Sequence, residues 1–361
     1  MVLQPKDRDG FEIAIICALQ SEADAVEALF DEYWDEDGDR YGKAPGDKNA
    51  YTTGAIGRHN VVLAHMPGIG KGSAASVAAN CSSSFGRIKL ALIVGICGGV
   101  PIGTDDEEIV LGDVIISTGI IQYDFGRRLP DRFIWKDTLK DNLSRPNTEI
   151  RAFLSRLGGL RGRKRLEDNT FDFLQELYKK ADFQKFRYPG AVEDKLYERT
   201  YRHKHHNLPT CTICIECEKR EDNVCETALE LSCLDLKCSD DMLVQRQRLP
   251  RSTDVGKAAE ERKPSIHFGL IASGDTVMKS GEDRDEIAAR GKVIGFEMEG
   301  AGVWDNFPCI VIKGVCDYAD SHKNKKWQRY AAATAAACMK AFLKEWVPPE
   351  KTSSNTVVQG R

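Results

Sequence analysis

The sequence predicts an α/β domain in which buried strands alternate with helices, interrupted by an irregular insertion. Residues 11–19, 90–96 and 309–312 are nearly continuous apolar runs, and such runs are typical of strands that are covered on both faces. Glycines or an amphipathic stretch follow each run, which indicates turns into helices. A length of 361 residues accommodates one large domain with an insertion, or two small domains.

The segment before residue 126 is predicted to contain strands, one hairpin and two helices. Glu22 lies in the first turn of the first helix, where a carboxylate complements the helix dipole. In chain order we expect a strand at 11–19, a helix from 20 to about 34, a loop at 35–48, a hairpin at 50–66 with its turn at Gly57-Arg58, a helix at 73–84, and strands at 90–96 and 109–116.

The glycine-rich segment 67–73 is not a phosphate-binding loop of the Walker type. That motif requires Ser or Thr directly after Gly-Lys, whereas Gly72 follows Lys71 here. We interpret the segment as a close strand-to-helix turn whose backbone N–H groups are able to face a ligand. Gly98 and Gly99, after the strand at 90–96, also permit close approach of the backbone to a bound molecule.

The stretch 292–320 contains the strongest indication of chemistry. Glu297 and Glu299 follow a short apolar run, and Asp317 ends the apolar run that begins at Cys309. Ligands of parallel α/β sheets bind outside the carboxyl ends of the strands. Carboxylates at such buried positions are costly unless they are paired or take part in chemistry. We therefore predict a functional site here.

The domain is predicted to span residues 8–347, with the insertion at 161–263. Strand 266–272 restores the ordered pattern after a charged linker near 250–264, and an alanine-rich helix at 330–346 completes the core. Residues 348–361 are expected to be a disordered tail. The insertion is polar and holds half of the 12 cysteines. Its CxxCxxC pattern, Cys211, Cys214 and Cys217, lies beside a histidine cluster and fits structural zinc, the alternative being a flexible segment of reduced thiols.

Charge and composition exclude several classes of function. A net charge of -4 argues against a nucleic-acid-binding protein, since no basic field attracts phosphates. No apolar run is long enough to span a membrane, and residues 1–10 lack the apolar core of a secretory signal. We expect a cytoplasmic protein with reduced cysteines, without a cofactor and without a membrane partner.

Six motifs in order resemble the superfamily of purine nucleoside phosphorylases and methylthioadenosine/S-adenosylhomocysteine nucleosidases. They are IICALQSE at 15–22, GIGKGSAA at 68–75, VGICGGV at 94–100, ASGDTVM at 272–278, GFEMEGAG at 295–302 and CDYAD at 316–320. The chain looks most similar to the branch found in fungal NLR-like proteins with NACHT or ankyrin repeats, which includes ATP nucleosidases. The resemblance implies a three-layer domain with a central mixed sheet, and a homo-oligomer, either a dimer or a hexamer.

The resemblance also implies roles for individual residues in cleaving the N-glycosidic bond of a purine nucleoside. Asp317 corresponds to the general acid that protonates N7 of the leaving base, and Glu22 to the residue that activates water. Glu299 corresponds to the ligand of the ribose hydroxyls. Further substrate contacts are expected from Met298, Glu297, Val277, Met278, Gly98 and Gly99.

Departures from the family pattern favour hydrolysis over phosphorolysis. Ile93 and Ile96 occupy positions where the hexameric phosphorylases have an arginine and a serine that hold phosphate, and isoleucine offers no donor. A phosphorylase and a catalytically silent purine-sensing module are the alternatives. Adenine is the favoured base. The basic residues after Asp317 are candidates for binding the 5′-phosphates of AMP or ATP, or else a solvated helix start: Lys323, Lys325, Lys326 and Arg329. A nucleotide substrate suggests a nucleotide-depleting immune effector.

Overall fold

Nine strands form one mixed sheet in the computed structural model, which describes residues 2–36, 38, 40–104, 106–138, 140–141, 143–249 and 261–347. The described strands are β1 Ile13–Cys17, β2 Glu32–Tyr33, β3 Ala50–Ile56, β4 His59–His65, β5 Leu90–Gly99, β6 Val114–Gln122, β7 Gly126–Arg128, β8 Phe133–Trp135, β9 Ile266–Ser273, β10 Val293–Glu297 and β11 Cys309–Asp317. Of these, β7 and β8 form a separate two-stranded sheet. The helices are α1 Gln20–Glu27, α2 Lys71–Ser84, α3 Thr148–Gly158, α4 Leu160–Leu177, α5 Thr212–Glu216, α6 Glu226–Glu230, α7 Gly281–Gly291, α8 Gly300–Val303 and α9 Gln328–Glu345.

The sheet has the strand order β10-β9-β6-β11-β5-β1-β4-β3-β2. β1 and β11 both run parallel to β5, whereas β6 runs antiparallel to β11 and β3 antiparallel to β4. β10 pairs with β9 and also, in the antiparallel sense, with the end of β5. Strands β10, β9, β6, β11 and β5 therefore form a closed ring, and the predicted mixed sheet is confirmed.

Helices cover both faces of β11, which gives the three layers that were predicted. Gly314 faces α9 so closely that a Cβ atom there would lie 2.0 Å from the carbonyl oxygen of Ala331. On the opposite face, the side chain of Val311 lies against Gly300, the first residue of α8. The small residues of α9 are buried between this sheet and α4, because only short side chains allow the backbones to approach this closely.

Two local predictions were wrong. The first helix ends at Glu27 instead of near Trp34, because Glu32–Tyr33 leave the helix and pair with β3 as strand β2. The strand expected at 109–116 begins only at Val114. Gly112 has a φ of 87°, which breaks an extended strand, and a carboxylate oxygen of Asp113 accepts a hydrogen bond from the N–H of Val110.

The boundaries of the insertion are partly visible. Residue 161, its expected start, lies inside α4, whose buried residues Leu166, Leu174 and Leu177 belong to the main hydrophobic core. The expected linker falls largely on residues 250–260 and the expected tail on 348–361, both outside the described residues. Among the helices that the structure does describe, none has the length and apolarity needed to cross a membrane.

Candidate active site

A cleft of about 250 Å³ lies where β5, β10 and β11 meet. Gly98 of β5 connects the three strands, because it pairs with Asp317 of β11 and with Phe296 of β10. A Cβ atom at Gly98 would lie 2.9 Å from Oδ1 of Asp317, so a larger residue would displace that carboxylate. The predicted residues that line the cleft are Glu22, Val277, Met278, Glu297, Met298, Glu299, Gly98, Asp317 and Lys323.

Glu22 is buried and held by three backbone donors. Its Oε2 accepts hydrogen bonds from the N–H groups of Ala18 and Leu19, at 3.0 and 2.9 Å, and its Oε1 from that of Ile96 at 2.8 Å. Burial raises the pKa of Glu22, although the charge of Lys313 acts in the opposite direction. A carboxylate has about four lone-pair sites, so one site on Oε1 is left for a water molecule.

Glu299 forms a buried ion pair that the sequence analysis missed. Nζ of Lys313 lies 2.8 Å from Oε2 of Glu299, and the two side chains are 1% and 6% exposed. Burial opposes the charged form of Glu299, but the nearby Lys313 ammonium holds the pKa of this carboxyl below its ordinary value. Glu299 is therefore an anion at neutral pH.

Glu297 holds the turn between β10 and α8. Its Oε2 accepts hydrogen bonds from the N–H groups of Glu299 and Gly300, at 2.9 and 2.8 Å. Burial raises the pKa of Glu297. These two bonds fix the backbone from which Glu299 projects, and this gives Glu297 a positioning role alongside its place in the cleft lining.

Asp317 ends β11 and is paired with a lysine. Nζ of Lys323 lies 3.0 Å from Oδ1 of Asp317, and the N–H of Ala319 donates to the same oxygen at 2.8 Å. The thiol of Cys316 lies 3.3 Å from Oδ2. The carboxylate is thus oriented toward the cleft by its own loop, and Lys323 reaches it from six residues downstream.

The remaining predicted contacts divide into two groups. Val277 is half exposed on the cleft wall, and Met278 and Met298 extend that wall with apolar surface. Gly99 is outside the lining and packs against Val315, where an added Cβ atom would lie 2.6 Å from its side chain.

The basic run does not converge on the cleft. Lys325 and Arg329 are exposed and outside the lining, and Nζ of Lys326 pairs with Glu193 at 2.8 Å. Only Lys323 of this run reaches the site, and it contacts Asp317. Of the four residues, the structure brings Lys323 alone into the cleft lining, and binding of 5′-phosphates by the basic run stays a prediction.

Comparison with known proteins finds similarity to the phosphorylase superfamily and to two kinds of relative. Residues 12–151 match the model of the phosphorylase superfamily. A nucleotide-binding leucine-rich repeat (NLR)-like protein from Hyaloscypha variabilis is 31% identical over 341 residues, which are 93% of this chain and 29% of that protein. An aminodeoxyfutalosine nucleosidase from Helicobacter pylori is 32% identical over 96 residues, which are 25% of this chain and 41% of that enzyme. The chain thus spans less than half the length of these relatives.

Solved structures agree on the fold. The 5′-methylthioadenosine/S-adenosylhomocysteine nucleosidase from Neisseria meningitidis superposes with a TM-score of 0.52 at 16% identity, over 93% of this chain and 99% of that one. Futalosine hydrolase from Helicobacter pylori gives a TM-score of 0.50 at 15% identity, with 93% of this chain and 99% of that chain covered. The fold is that of the nucleoside phosphorylases and nucleosidases.

Proposed function

We propose that this chain, whose residues 12–151 match the phosphorylase superfamily, hydrolyses the N-glycosidic bond of an adenine nucleoside or nucleotide. The observation that carries the proposal is the convergence of Glu22, Glu299 and Asp317 on one cleft. A glycosidic bond breaks through a transition state with oxocarbenium character, which needs an acid for the leaving group, an anion near the sugar and a nucleophile.

Glu22 is proposed as the general base. Three backbone N–H groups fix its orientation, and its raised pKa makes it a stronger proton acceptor than an ordinary glutamate. The free lone pair on Oε1 would accept a proton from water as that water attacks the anomeric carbon. The proton then resides on Glu22 until it is released to solvent.

Glu299 is proposed to bind the ribose hydroxyls and to stabilise the positive charge that develops on the ring. Both tasks require an anion, and Lys313 keeps Glu299 in that form. Such fixed charges act strongly in a site from which water is excluded.

Asp317 is proposed to donate a proton to N7 as adenine leaves. This requires that the substrate replace Lys323 as the partner of the Asp317 carboxyl group.

Water is favoured over phosphate as the nucleophile. Ile93 is buried within β5, and Ile96 lines the cleft with an apolar side chain while its N–H holds Glu22. Among the described residues of the cleft lining, Lys323 is the single lysine or arginine, and it is paired with Asp317. A phosphate dianion needs several donors, and this lining supplies too few of them.

The test is release of free adenine from adenosine, AMP and ATP, each with and without inorganic phosphate, in water enriched in ¹⁸O. Hydrolysis predicts phosphate-independent release, with one ¹⁸O atom on the anomeric carbon of the ribose product. Release that requires phosphate and yields ribose 1-phosphate would establish a phosphorylase instead. Purine binding without release of adenine from any substrate would establish a sensing module.

Glu22→Gln is expected to reduce adenine release about 10²–10⁴-fold, as for loss of a general base. In the wild type, activity should fall as the pH decreases through the pKa of Glu22, which lies above its ordinary value of 4.5, because the protonated carboxyl cannot accept a proton. The variant should lose this acidic limb from its profile of kcat/KM against pH. Glu27→Gln, on the same helix but outside the cleft lining, is the control and should keep the limb.

Lys323→Ala is expected to change turnover of adenosine and of ATP by the same factor, since Lys323 acts through Asp317 and not through a 5′-phosphate. Lys325→Ala should change neither rate by more than about twofold, because this exposed side chain makes no contact with the cleft. Steady-state kinetics of both variants, with adenosine and with ATP as substrate, measure these changes. A loss of ATP turnover in Lys325→Ala without a loss of adenosine turnover would show that the basic run binds the 5′-phosphates.

The nucleotide-depleting role extends the proposal to the cell. Similarity to an NLR-like protein over 93% of the chain supports a function as the effector segment of such a protein. We also propose that the chain forms a dimer or a hexamer, and light scattering of the purified chain would test this. Adenosine turned over much faster than ATP would contradict the nucleotide-depleting role while leaving the nucleosidase chemistry intact.

A further inference from the structure

The cysteine-rich segment, defined here as residues 201–245, has very little apolar core. Its buried hydrophobic cluster consists of Cys214, Ala228 and Leu236. Cys214 and Ala228 lie at the middle of its two five-residue helices, and Leu236 lies outside them. A segment of this size cannot be held by so small a core, and comparable small units rely on disulfides or metal ions. Its cysteines are free thiols.

The first candidate metal set consists of three side chains of this segment and one from outside it: His203, Cys233, Cys238 and His322. Their ligand atoms all lie within 4.8 Å of one another. Sγ of Cys233 is 3.7 Å from Nδ1 of His203 and 3.4 Å from Nδ1 of His322, and the two Nδ1 atoms are 3.4 Å apart. Sγ of Cys238 lies 3.9 Å from Nδ1 of His203.

In a second set of four side chains the ligand atoms also lie within 4.8 Å of one another: His205, Cys211, Cys214 and Cys225. Sγ of Cys214 lies 3.6 Å from Nδ1 of His205 and 3.7 Å from Sγ of Cys225. Sγ of Cys225 is 3.4 Å from the same histidine nitrogen. Neither set includes Cys217, whose thiol points instead to the carbonyl oxygen of Asp222 at 3.8 Å. The predicted triplet Cys211, Cys214 and Cys217 is therefore corrected.

These separations match the edges of a zinc tetrahedron. With Zn–N bonds of about 2.0–2.1 Å and Zn–S bonds of about 2.3 Å, ligand atoms in a tetrahedron are separated by roughly 3.3–3.8 Å. The seven distances given above span 3.4–3.9 Å, and all other pairs of ligand atoms in each set lie within 4.8 Å of one another. We propose that each set binds one Zn²⁺, the first through two sulfur and two nitrogen atoms and the second through three sulfur atoms and one nitrogen.

The ring nitrogens that face away from the first set support this assignment. Nε2 of His203 lies 2.9 Å from the carbonyl oxygen of Leu231, and Nε2 of His322 lies 3.1 Å from that of Tyr201. A carbonyl oxygen accepts only, so each Nε2 carries the proton and each Nδ1 presents its lone pair to the metal. Zinc-bound histidines are oriented in this way by their outer partners.

The first zinc ion would join two distant parts of the chain. Three of its ligands belong to the cysteine-rich segment, whereas His322 lies in the loop between β11 and α9. That loop also carries Lys323, which pairs with Asp317. The ion therefore anchors the cysteine-rich segment to the wall of the cleft. Binding would release the thiol protons to solvent, so zinc affinity falls at low pH.

The test is the zinc content of the purified full chain, measured by inductively coupled plasma mass spectrometry after growth with added zinc. We expect about two zinc ions per chain in the wild type and about one in Cys238→Ser and in Cys211→Ser. Cys217→Ser is the matched control, a buried cysteine of the same segment outside both sets, and it should keep about two. Fewer than about 0.2 zinc ions in the wild type, or two in every variant, would overturn the proposal.

A second measurement covers the case in which the variants do not fold. Wild-type protein is stripped with a chelator and titrated with Co²⁺, whose visible spectrum reports tetrahedral geometry and thiolate ligands. We expect two equivalents of Co²⁺ to bind, with sulfur-to-cobalt charge-transfer absorption from both sites and displacement by Zn²⁺. An octahedral cobalt spectrum would contradict the proposal, and so would disulfides among these cysteines in the protein as purified, before the chelator is added.

Discussion

Asp317→Asn is expected to lower the rate of adenine release by about 10²–10⁴-fold, the usual contribution of a general acid. The asparagine carbonyl can still accept the hydrogen bond from the N–H of Ala319, so the loop keeps its shape. The amide has no proton to give to N7, and it no longer attracts Lys323. The effect should therefore fall on kcat, with the temperature of thermal unfolding nearly unchanged.

A substrate with a good leaving group separates the acid role of Asp317 from a structural one. p-Nitrophenyl riboside expels a stable phenolate and needs no protonation, so Asp317→Asn should cleave it at a rate within about tenfold of the wild type. Asp305→Asn, an exposed carboxylate between β10 and β11, is the control for both substrates. Equal losses on adenosine and on the phenyl riboside would show that Asp317 supports the site without acting as its acid.

Lys313→Met is expected to lower the free energy of unfolding by about 3–5 kcal/mol at neutral pH, the range for breaking a buried ion pair at one partner. The change leaves Glu299 and Glu22 buried without their neighbouring cation. In the wild type, Lys313 holds the pKa of Glu299 low, so this pair stabilises the fold above the unfolded pKa and loses its contribution as the pH falls through the folded pKa. The destabilisation should therefore shrink on acidification.

The double variant Lys313→Met, Glu299→Gln tests the cause. Removing both charges should recover a large part of the lost stability, because no buried charge is then left without a partner. Lys164→Met removes an exposed ion pair with Asp168 on α4 and should cost less than about 1 kcal/mol. Urea denaturation of the four proteins between about pH 3 and pH 8 makes the comparison, because the folded pKa of Glu299 lies below its ordinary value of 4.5. A double variant no more stable than Lys313→Met would contradict the ion-pair explanation.

Hydrophobic runs were sufficient to predict the central strands and the carboxylates at their ends. Glu297, Glu299 and Asp317 were expected together because strand ends in α/β sheets share an edge, and the structure brings them to one cleft. Lys313 was missed because it lies inside an apolar run, where its charge is tolerated only by virtue of a partner 14 residues earlier in the chain. No local pattern indicates such a partner.

The proposed zinc ligands illustrate the same limit at longer range. The spacing of Cys211, Cys214 and Cys217 indicated zinc, but spacing alone does not tell which thiols face a common point. The fold turns Cys217 away and brings in His322, a residue 119 positions after His203. The predicted end of the first helix was wrong for a related reason. Pairing of β2 with β3 overrides the local helical preference of residues 32–33.

The closed ring of strands imposes an order on biosynthesis. β5 can pair with β10 only after the ribosome has made everything between Gly99 and Val293. At about 5–20 residues per second, that interval lasts roughly 10–40 s, and throughout it one flank of β5 lacks both β10 and β11. Such an edge invites pairing with another nascent chain, so the protein should depend on chaperones during translation. Nascent chains that stall before β10 would carry no assembled cleft, and the complete cleft lining would exist only once β11 and the loop after it have emerged.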